Sequence, residues 1–303
     1  MDIEYDVDDV GALALAHVLA NRREVELVGI VVSSGHEWSP LCVDRLNTWY
    51  GRPDLPIGFV GGLGSVIMGS KYAREVAHRY PGNWSSAGEM EDSTRLYRRL
   101  LAAEDDGAVT LVSIGFMTAL HRLLLSPPDD ISPLSGADLA AVKIGRWVCM
   151  GGGYPSGREY NLIKDGPAAH ETFRLWRTPI YFIGEELGKT VMTGAGLRAL
   201  AEDCPLRTAY ELYFDGELRN RPSWDQVAVL FAARGYNDEG GGYWKLVSRG
   251  GNRVAADGSN SWDPELDLPH HYLVPALDPA LAAQEIEALM MEPPILSSAD
   301  LLP

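Results

Sequence analysis

Apolar runs rich in β-branched residues alternate with helical patterns along most of the chain. The first run, residues 25–33 (VELVGIVVS), is almost continuously hydrophobic, which is typical of a strand covered on both faces of a parallel sheet. Similar runs predict further strands at 57–60, 109–114, 147–150 and 180–183. Apolar patterns with helical spacing predict helices at 10–21, 93–104, 116–125, 167–176 and 226–233. This alternation predicts an α/β fold with an open, mostly parallel sheet and helices on both faces.

Two segments lack this periodicity. Residues 80–88 and 249–267 are rich in Gly, Ser, Asn and Trp, which predicts long loops. No internal repeat or Pro-rich linker divides the chain, so we predict one domain over residues 1–303, with loop insertions near 61–90 and 236–270. Ligands of open parallel sheets bind beyond the C-terminal ends of the strands, so polar residues that follow predicted strands are the first candidates for a site.

The composition is that of a folded globular protein, with 46% hydrophobic and 22% charged residues among 303. The formal net charge of -16 repels phosphate backbones and anionic lipid, which predicts neither nucleic acid nor a membrane as partner. The first residues lack the basic start and apolar core of a secretory signal. Three cysteines, Cys42, Cys149 and Cys204, lack the paired spacing of metal or redox sites. We therefore expect a cytoplasmic protein with reduced thiols.

The N-terminal segment is unusually acidic. Five carboxylic acids stand within eight residues, directly before an apolar helix: Asp2, Glu4, Asp6, Asp8 and Asp9. Such a density of like charge is unfavourable unless solvent, protons or a cation relieves it. One interpretation is a solvated, frayed terminus in which Asp8 and Asp9 cap the helix. The other is a site for a hard cation such as Ca²⁺ or Mg²⁺, whose ligands are oxygen atoms.

Two well-known acidic motifs do not fit this segment. Counted from Asp6, an EF-hand loop would need a ligand at its fifth position and a bidentate Glu at its twelfth, where Val10 and His17 stand. A phosphotransfer aspartate with Mg²⁺ stays open, although the glycines at 151–153 lack the lysine of a phosphate-binding loop.

Residues 2–15 (DIEYDVDDVGALAL) resemble the acidic signature that opens the inosine-uridine preferring nucleoside hydrolase family. Three further segments resemble that family in the same order: 111–118 (LVSIGFMT), 150–165 (MGGGYPSGREYNLIKD) and 223–229 (SWDQVAV). By these ordered matches the chain is identified as a divergent member of the family. The resemblance implies an enzyme of nucleoside-hydrolase-like fold that hydrolyses the N-glycosidic bond of a ribonucleoside or a related ribosyl compound.

The same resemblance implies a set of site residues. Ca²⁺ would be ligated by Asp2, Asp9, Asp225 and the backbone carbonyl of Ile114. The ribose would be bound by Asp8, His36, Met150, Glu159 and Asn161. The catalytic residues would be Asp2, which activates a metal-held water as general base, together with His36 and Trp224 at the leaving base.

The segment around Asp225 departs from the family at one position. Many members carry a His there, a candidate general acid for the leaving base, whereas this chain has Trp224. An indole donates a hydrogen bond but does not titrate near neutrality. Three alternatives stay open: another group such as His36 protonates the base, Trp224 stacks on it, or the substrate is not a nucleoside.

The start of the chain departs from the family as well. Members begin with a strand that leads into the first acidic residue, whereas only Met1 precedes Asp2. We therefore expect the first strand to be missing and the native start to lie upstream. Glu4 stands where the family has a Gly that allows a tight turn, so we expect the local backbone of Glu4 and Tyr5 to differ.

Two other functions compete with a nucleoside hydrolase. A non-catalytic relative would hold ribose or metal without hydrolysis. A Mg²⁺-dependent phosphohydrolase would use Asp2, although the acidic segment shows no evident Arg or Lys to pair with phosphate. For the first hypothesis we expect a small nucleoside-like substrate as ligand and a homo-oligomer, either a dimer or a tetramer.

Overall fold

The computed structural model describes residues 1–62, 65–235 and 242–294. The α-helices are α1 (Asp8–Asn21), α2 (Trp38–Trp49), α3 (Ala73–Arg79), α4 (Ser93–Ala103), α5 (Thr118–Leu125), α6 (Gly136–Lys143), α7 (Tyr160–Lys164), α8 (Gly166–Leu175), α9 (Glu185–Gly188), α10 (Pro205–Tyr213), α11 (Trp224–Arg234) and α12 (Pro279–Met290). The strands are β1 (Ile30–Val32), β2 (Ile57–Phe59), β3 (Glu91–Asp92), β4 (Val109–Ser113), β5 (Ile144–Met150), β6 (Ser156–Gly157), β7 (Ile180–Ile183), β8 (Met192–Thr193), β9 (Arg221–Pro222), β10 (Trp244–Val247), β11 (Gly251–Val254), β12 (Asn260–Asp263) and β13 (His270–Pro275). Short 3₁₀ helices span Ala87–Glu89 and Ala195–Ala199.

The main sheet has the strand order β10-β13-β7-β5-β4, and only its β10 edge is antiparallel. A second sheet, in the order β1-β2-β3, is parallel throughout. The predicted α/β fold with a mostly parallel open sheet is therefore confirmed. Its parallel strands end on one side, where the segments after β1, β4 and β5 can contribute side chains to a common site.

Hydrophobic helices cover the sheets. α1 packs against α11 and α12, and α5 packs against α8. Nearly every residue of α1 is buried, including Asp8 and Asp9 at its start. This extensive burial explains why the segment is rich in Ala and Leu around its whole circumference rather than on one face.

Most predicted elements are confirmed, some with shifted ends. The strand predicted at 180–183 coincides with β7, and the helix predicted at 93–104 ends one residue earlier, as α4. The helix predicted at 10–21 already begins at Asp8. The strand predicted at 25–33 is shorter, because only Ile30–Val32 pair with a neighbouring strand.

The prediction of a long loop over 249–267 is wrong. This segment folds into the antiparallel hairpin of β11 and β12, and β12 also pairs with β6. A buried side chain attaches the hairpin to the segment after β5: the Asn260 amide accepts from Gly153 N and donates to Gly153 O, both at 2.9 Å. The insertion expected near 61–90 contains α3, and its residues 63–64 lie outside the described residues, as do residues 236–241 of the second insertion.

In the described part of the chain, none of the helices combines the length and the apolar character that a membrane span requires.

Candidate active site

Three buried carboxylic acids from the two ends of the sequence meet at one place. Asp8 and Asp9 lie in the first turn of α1, and Asp225 lies in the first turn of α11. One carboxylate oxygen from each residue lies within 4.8 Å of the others. The alternative of a solvated, frayed terminus is therefore wrong. The helix is not capped by an aspartate either, since its N-cap residue is Val7 and makes no side-chain cap bond.

Asp2 joins this group through the backbone. Its amide donates to Asp9 Oδ1 at 3.3 Å, and its side chain is almost fully buried. The turn after β4 packs directly on it, because a Cβ atom added at Gly115 would lie 2.6 Å from Asp2 Oδ1. Ile114, whose carbonyl is the fourth expected ligand, immediately precedes that glycine and is buried. The segment after β4 thus approaches the acidic cluster.

The electrostatics of the cluster favour a bound cation or bound protons. Burial, followed by repulsion from neighbouring carboxylates, raises the pKa of Asp8, Asp9 and Asp225 well above the ordinary value. Burial also raises the pKa of Asp2 to about 6, against the opposing effect of the N-terminal ammonium group. A divalent cation would relieve both the burial and the repulsion of these charges. The donor atoms are carboxylate oxygens, which fit hard cations such as Ca²⁺ and Mg²⁺.

The arginine nearest to the cluster is paired with an acid outside it. The Arg221 guanidinium forms an ion pair with Asp6, with Nε 3.0 Å from Oδ1, and lies over the rings of Tyr213 and Trp224 at 5.5 and 5.0 Å. Arg221 lowers the pKa of Asp8 only in part, so it does not neutralise the cluster. Sequence reasoning missed this pair, because its members are 215 positions apart and belong to no shared motif.

Glu4 is buried and serves as an anchor. Its carboxylate accepts hydrogen bonds from the Ser34 hydroxyl and from Met68 N, the latter at 2.6 Å. These bonds attach the segment after β1 and the segment around residue 68 to the acidic loop, residues 2–7, which precedes α1. Burial raises the pKa of Glu4 to about 7. Among the described non-glycine residues only Arg23 and Asp215 have positive φ, so the backbone at Glu4 does not require a glycine.

Three of the expected ribose-binding residues lie side by side and are buried. Met150 ends β5, and Asn161 Nδ2 lies 3.8 Å from its Sδ. Glu159 caps α7, with Oε1 accepting from Asn161 N at 2.8 Å and Oε2 from Leu162 N at 3.1 Å. Burial raises the pKa of Glu159 to about 7, and the charge of Asp2 contributes in the same direction.

The side chains of the two residues expected at the leaving base form hydrogen bonds with backbone groups of this chain. Trp224 Nε1 donates to the carbonyl of Glu185 at 2.9 Å. His36 Nδ1 accepts from Trp38 N at 3.3 Å, and burial lowers the pKa of His36. Among the described residues, no hydrogen bond joins either side chain to Asp8, Asp9 or Asp225. Their roles in catalysis stay predictions.

The sequence matches no protein-family model and no curated protein. Solved structures do match over nearly the whole chain. The type III effector XopQ, crystallised with adenosine diphosphate ribose, has a TM-score of 0.72 at 16% identity and covers 96% of this chain and 92% of its own. An inosine-uridine preferring nucleoside hydrolase from Bacillus anthracis has a TM-score of 0.68 at 17% identity, covering 95% and 97%. An inosine-guanosine nucleoside hydrolase has a TM-score of 0.63 at 14% identity, covering 96% of both chains.

These structures share the sheet architecture described above and include nucleoside hydrolases of two named specificities. Their low sequence identity agrees with the divergence expected from the sequence. The chain therefore has the fold of the nucleoside hydrolases, as its sequence resemblance predicts.

Proposed function

We propose that the protein is a Ca²⁺-dependent hydrolase that cleaves the N-glycosidic bond of a ribonucleoside or a related ribosyl compound. The observation that carries this proposal is the buried group of Asp8, Asp9 and Asp225 inside a nucleoside hydrolase fold. Two of the structural neighbours are nucleoside hydrolases by name, and a third was crystallised with adenosine diphosphate ribose. A ribosyl group is common to the ligands that these names imply.

The cation would be held by Asp2, Asp9, Asp225 and the carbonyl of Ile114. Bound Ca²⁺ would lower the pKa of a water molecule and orient vicinal hydroxyl groups of the sugar. Asp8 shares the same cluster and would accept hydrogen bonds from the ribose hydroxyls.

Asp2 would act as the general base. Burial raises the pKa of Asp2 to about 6 in the metal-free chain, and coordination to Ca²⁺ would lower it again, so the base would depend on its contact with the water rather than on high basicity. The water that loses this proton would attack C1′ of the sugar, and the bond from C1′ to the base nitrogen would break.

The remaining site residues would stabilise and orient the sugar. Breaking the bond gives the sugar oxocarbenium character, and the buried carboxylates of Asp8 and Glu159 would place negative potential beside that positive charge. Asn161 can donate to and accept from hydroxyl groups, and the neighbouring thioether of Met150 would pack on the apolar face of the ring. His36 and Trp224 would contact the leaving base.

One observation favours a second candidate function, which is ribosyl binding without turnover. The only N–H of the Trp224 side chain already donates to Glu185 O, so the residue cannot also donate to a leaving base. Unless His36 or another group supplies that proton, a purine or pyrimidine would leave slowly as an anion.

Release of reducing sugar distinguishes the two functions. Purified protein would be incubated with purine and pyrimidine ribonucleosides, in Ca²⁺ and in chelator. We expect sugar release that requires Ca²⁺ and is lost in Asp9→Asn, while the exposed control Glu265→Gln keeps full activity. Heat of ribose binding without sugar release would support the binder, and activity of metal-free Asp9→Asn would disprove the proposed mechanism.

A further inference from the structure

Asp165 is a buried acid that has no role in the cation site or the ribose site described above. Only 8% of its surface is exposed, and it is the last residue of the segment 150–165. It stands between two helices, as the C-cap residue of α7 and the N-cap residue of α8. Its side chain makes no cap bond to α8, so the carboxylate is directed to another part of the molecule.

The carboxylate of Asp165 caps α5. Its Oδ2 atom accepts from Thr118 N at 2.6 Å and from Thr118 Oγ1 at 2.8 Å, across 47 positions of sequence. The N-cap residue of α5 is Met117, whose own side chain makes no cap bond. Burial raises the pKa of Asp165, and the hydrogen bonds from Thr118 and Met117 oppose this rise. A distant residue therefore supplies the acceptor that the first turn of α5 lacks locally.

The end of α5 that Asp165 caps is joined to the cation site by a short turn. Only residues 114–117 separate the end of β4 from the start of α5. The β4 side of the turn is fixed by strand pairing, in which Ser113 is opposite Cys149. Ile114 and Gly115 lie within the turn, and a Cβ atom added at Gly115 would lie 2.6 Å from Asp2 Oδ1. Asp165 thus fixes the second end of the turn that approaches the acidic cluster.

The backbone of Asp165 is bonded to the other half of the candidate active site. Its amide donates to Asn161 O at 3.2 Å, and Asn161 N donates to Glu159 Oε1 at 2.8 Å. Glu159 and Asn161 are the residues proposed above to orient and stabilise the sugar. Asp165 is therefore bonded through its side chain to the start of α5 and through its backbone to the helix that carries the sugar residues.

We propose that Asp165 is a positioning residue that holds the turn of Ile114 and Gly115 against the acidic cluster and fixes this turn relative to α7. The inference rests on the proposed function, because it concerns the carbonyl of Ile114 as a ligand of Ca²⁺. Asp165 would act through Thr118 rather than by contact with the cation. Loss of the carboxylate would free the first turn of α5, and the carbonyl of Ile114 would no longer be held in place.

The test compares two aspartates that cap helices. Asp165→Ala removes the cap of α5, and Asp92→Ala removes the cap of α4, where Asp92 Oδ1 accepts from Thr94 N at 2.9 Å and from Arg95 N at 3.1 Å. Both variants should lower Tm by a few degrees. Since α4 contributes no residue to the candidate active site, only Asp165→Ala should also weaken Ca²⁺ binding, by about tenfold or more, measured by calorimetry.

Two milder variants separate positioning from a general loss of structure. Both bonds from Thr118 go to one carboxylate oxygen, which the Asn carbonyl can replace, so Asp165→Asn should recover part of the Ca²⁺ affinity that Asp165→Ala loses. Thr118→Val removes only the hydroxyl donor and should weaken Ca²⁺ binding by a smaller factor than Asp165→Ala. If Asp165→Ala does not fold, these two variants decide the question.

Hydrogen exchange in chelator tests the positioning without a cation. The amides of residues 114–116 should exchange faster in Asp165→Ala than in the original chain, and at the original rate in Asp92→Ala.

Equal Ca²⁺ affinities of the Asp165 variants and Asp92→Ala would overturn the proposal, because Asp165 would then be an ordinary helix cap. Unchanged exchange of residues 114–116 in Asp165→Ala would overturn it as well. An original chain that binds no Ca²⁺ would instead disprove the proposed function, while the exchange comparison would still decide whether Asp165 holds the turn.

Discussion

The backbone amide of Asp225 donates to Asp8 Oδ2 at 3.4 Å, across 217 positions of sequence. This contact joins the first turns of α1 and α11, so two helix N-termini face the same cluster of acids. The positive ends of the helix dipoles partly offset the burial of negative charge there. The offset is incomplete, since the pKa values of Asp8 and Asp225 still lie well above the ordinary range.

Removing one acid from the cluster should have opposite effects on stability in the absence and in the presence of a bound cation. Replacing Asp225 by Asn removes a buried acid whose ionisation is opposed by burial and by the neighbouring carboxylates, so the metal-free protein should become more stable. Ca²⁺ at about 100 times its Kd should stabilise the original chain by about 2.7 kcal/mol. We expect this gain to disappear in Asp225→Asn, as measured by thermal unfolding in chelator and in Ca²⁺.

A matched control for this substitution is Asp215→Asn, because Asp215 is exposed and pairs with Lys71 on the surface. It should leave both the metal-free Tm and the Ca²⁺ response unchanged. If Asp225→Asn destabilised the metal-free protein and kept the Ca²⁺ response, the cluster would not be a cation site.

The residues of the cluster could be predicted from the sequence, but several of their neighbours could not. Asp9 and Asp225 belong to motifs that resemble a known family, and such motifs can be recognised from the sequence alone. The pair of Asp6 and Arg221 belongs to none, because an ion pair between distant positions leaves no periodic pattern.

The same limit applies to the fold. β7 forms as predicted because its apolar run pairs on both sides, with β5 and β13. Residues 25–29 belong to a largely apolar run as well, yet no strand pairs with them among the described residues, and they stay outside β1. Whether a segment forms a strand depends on its partner strands in the sheet, and the sequence of that segment alone does not identify those partners. The hairpin within 249–267 is not evident from its Gly and Ser content, since β11 and β12 pair with each other and Asn260 also bonds to the distant Gly153.

Stability of the metal-free protein should fall as pH rises from about 5 to 7. Burial raises the pKa of Glu4 and of Glu159 to about 7, from the ordinary value of 4.5. In this window the unfolded chain has lost these protons while the folded chain keeps them, so each increase in pH favours unfolding. Above pH 7 these two glutamates are ionised in both states, so their contribution to stability no longer changes with pH. We expect a lower Tm at pH 8 than at pH 5 in chelator.

Glu4→Gln should reduce this pH dependence, because one of the groups that bind protons on folding is removed. The exposed residue Glu265 provides the comparison, and Glu265→Gln should retain the full difference between pH 5 and pH 8. A difference in Tm between pH 5 and pH 8 that is the same in Glu4→Gln as in the original chain would contradict the raised pKa of Glu4.

A substitution of Trp224 can distinguish a structural role of this side chain from a role in catalysis at the leaving base. Trp224→Phe removes the bond to Glu185 O and should cost about 1 kcal/mol of unfolding free energy, while the ring still packs against Arg221. Because the indole N–H is already engaged, kcat should change by less than about threefold, well under the effect of losing a proton donor. A large fall in kcat with an unchanged Tm would instead identify Trp224 as the group that acts on the base.

The pair of Asp6 and Arg221 should couple energetically. Both side chains are about three-quarters buried, with 25% and 28% of their surfaces exposed. Removing either partner leaves a partly buried charge unpaired, so Asp6→Asn and Arg221→Gln should each destabilise, and the double variant should destabilise by less than their sum. We expect a coupling energy of about 1 kcal/mol from the four unfolding free energies. Additive effects would show that the pair does not hold the acidic loop.

Gly115 provides the sharpest test of how closely the turn after β4 approaches Asp2. A methyl group at this position would lie 2.6 Å from Asp2 Oδ1 and 2.7 Å from Asp2 N, closer than non-bonded atoms can approach. Gly115→Ala should therefore displace Asp2, lower Tm by several degrees and weaken Ca²⁺ binding by about tenfold or more, measured by calorimetry. Gly69→Ala is the matched control, since a Cβ there meets no atom within 4 Å and should change neither property. Unchanged Ca²⁺ affinity in Gly115→Ala, despite a lower Tm, would mean that Asp2 is not a ligand and that Asp8, Asp9 and Asp225 hold the cation without it.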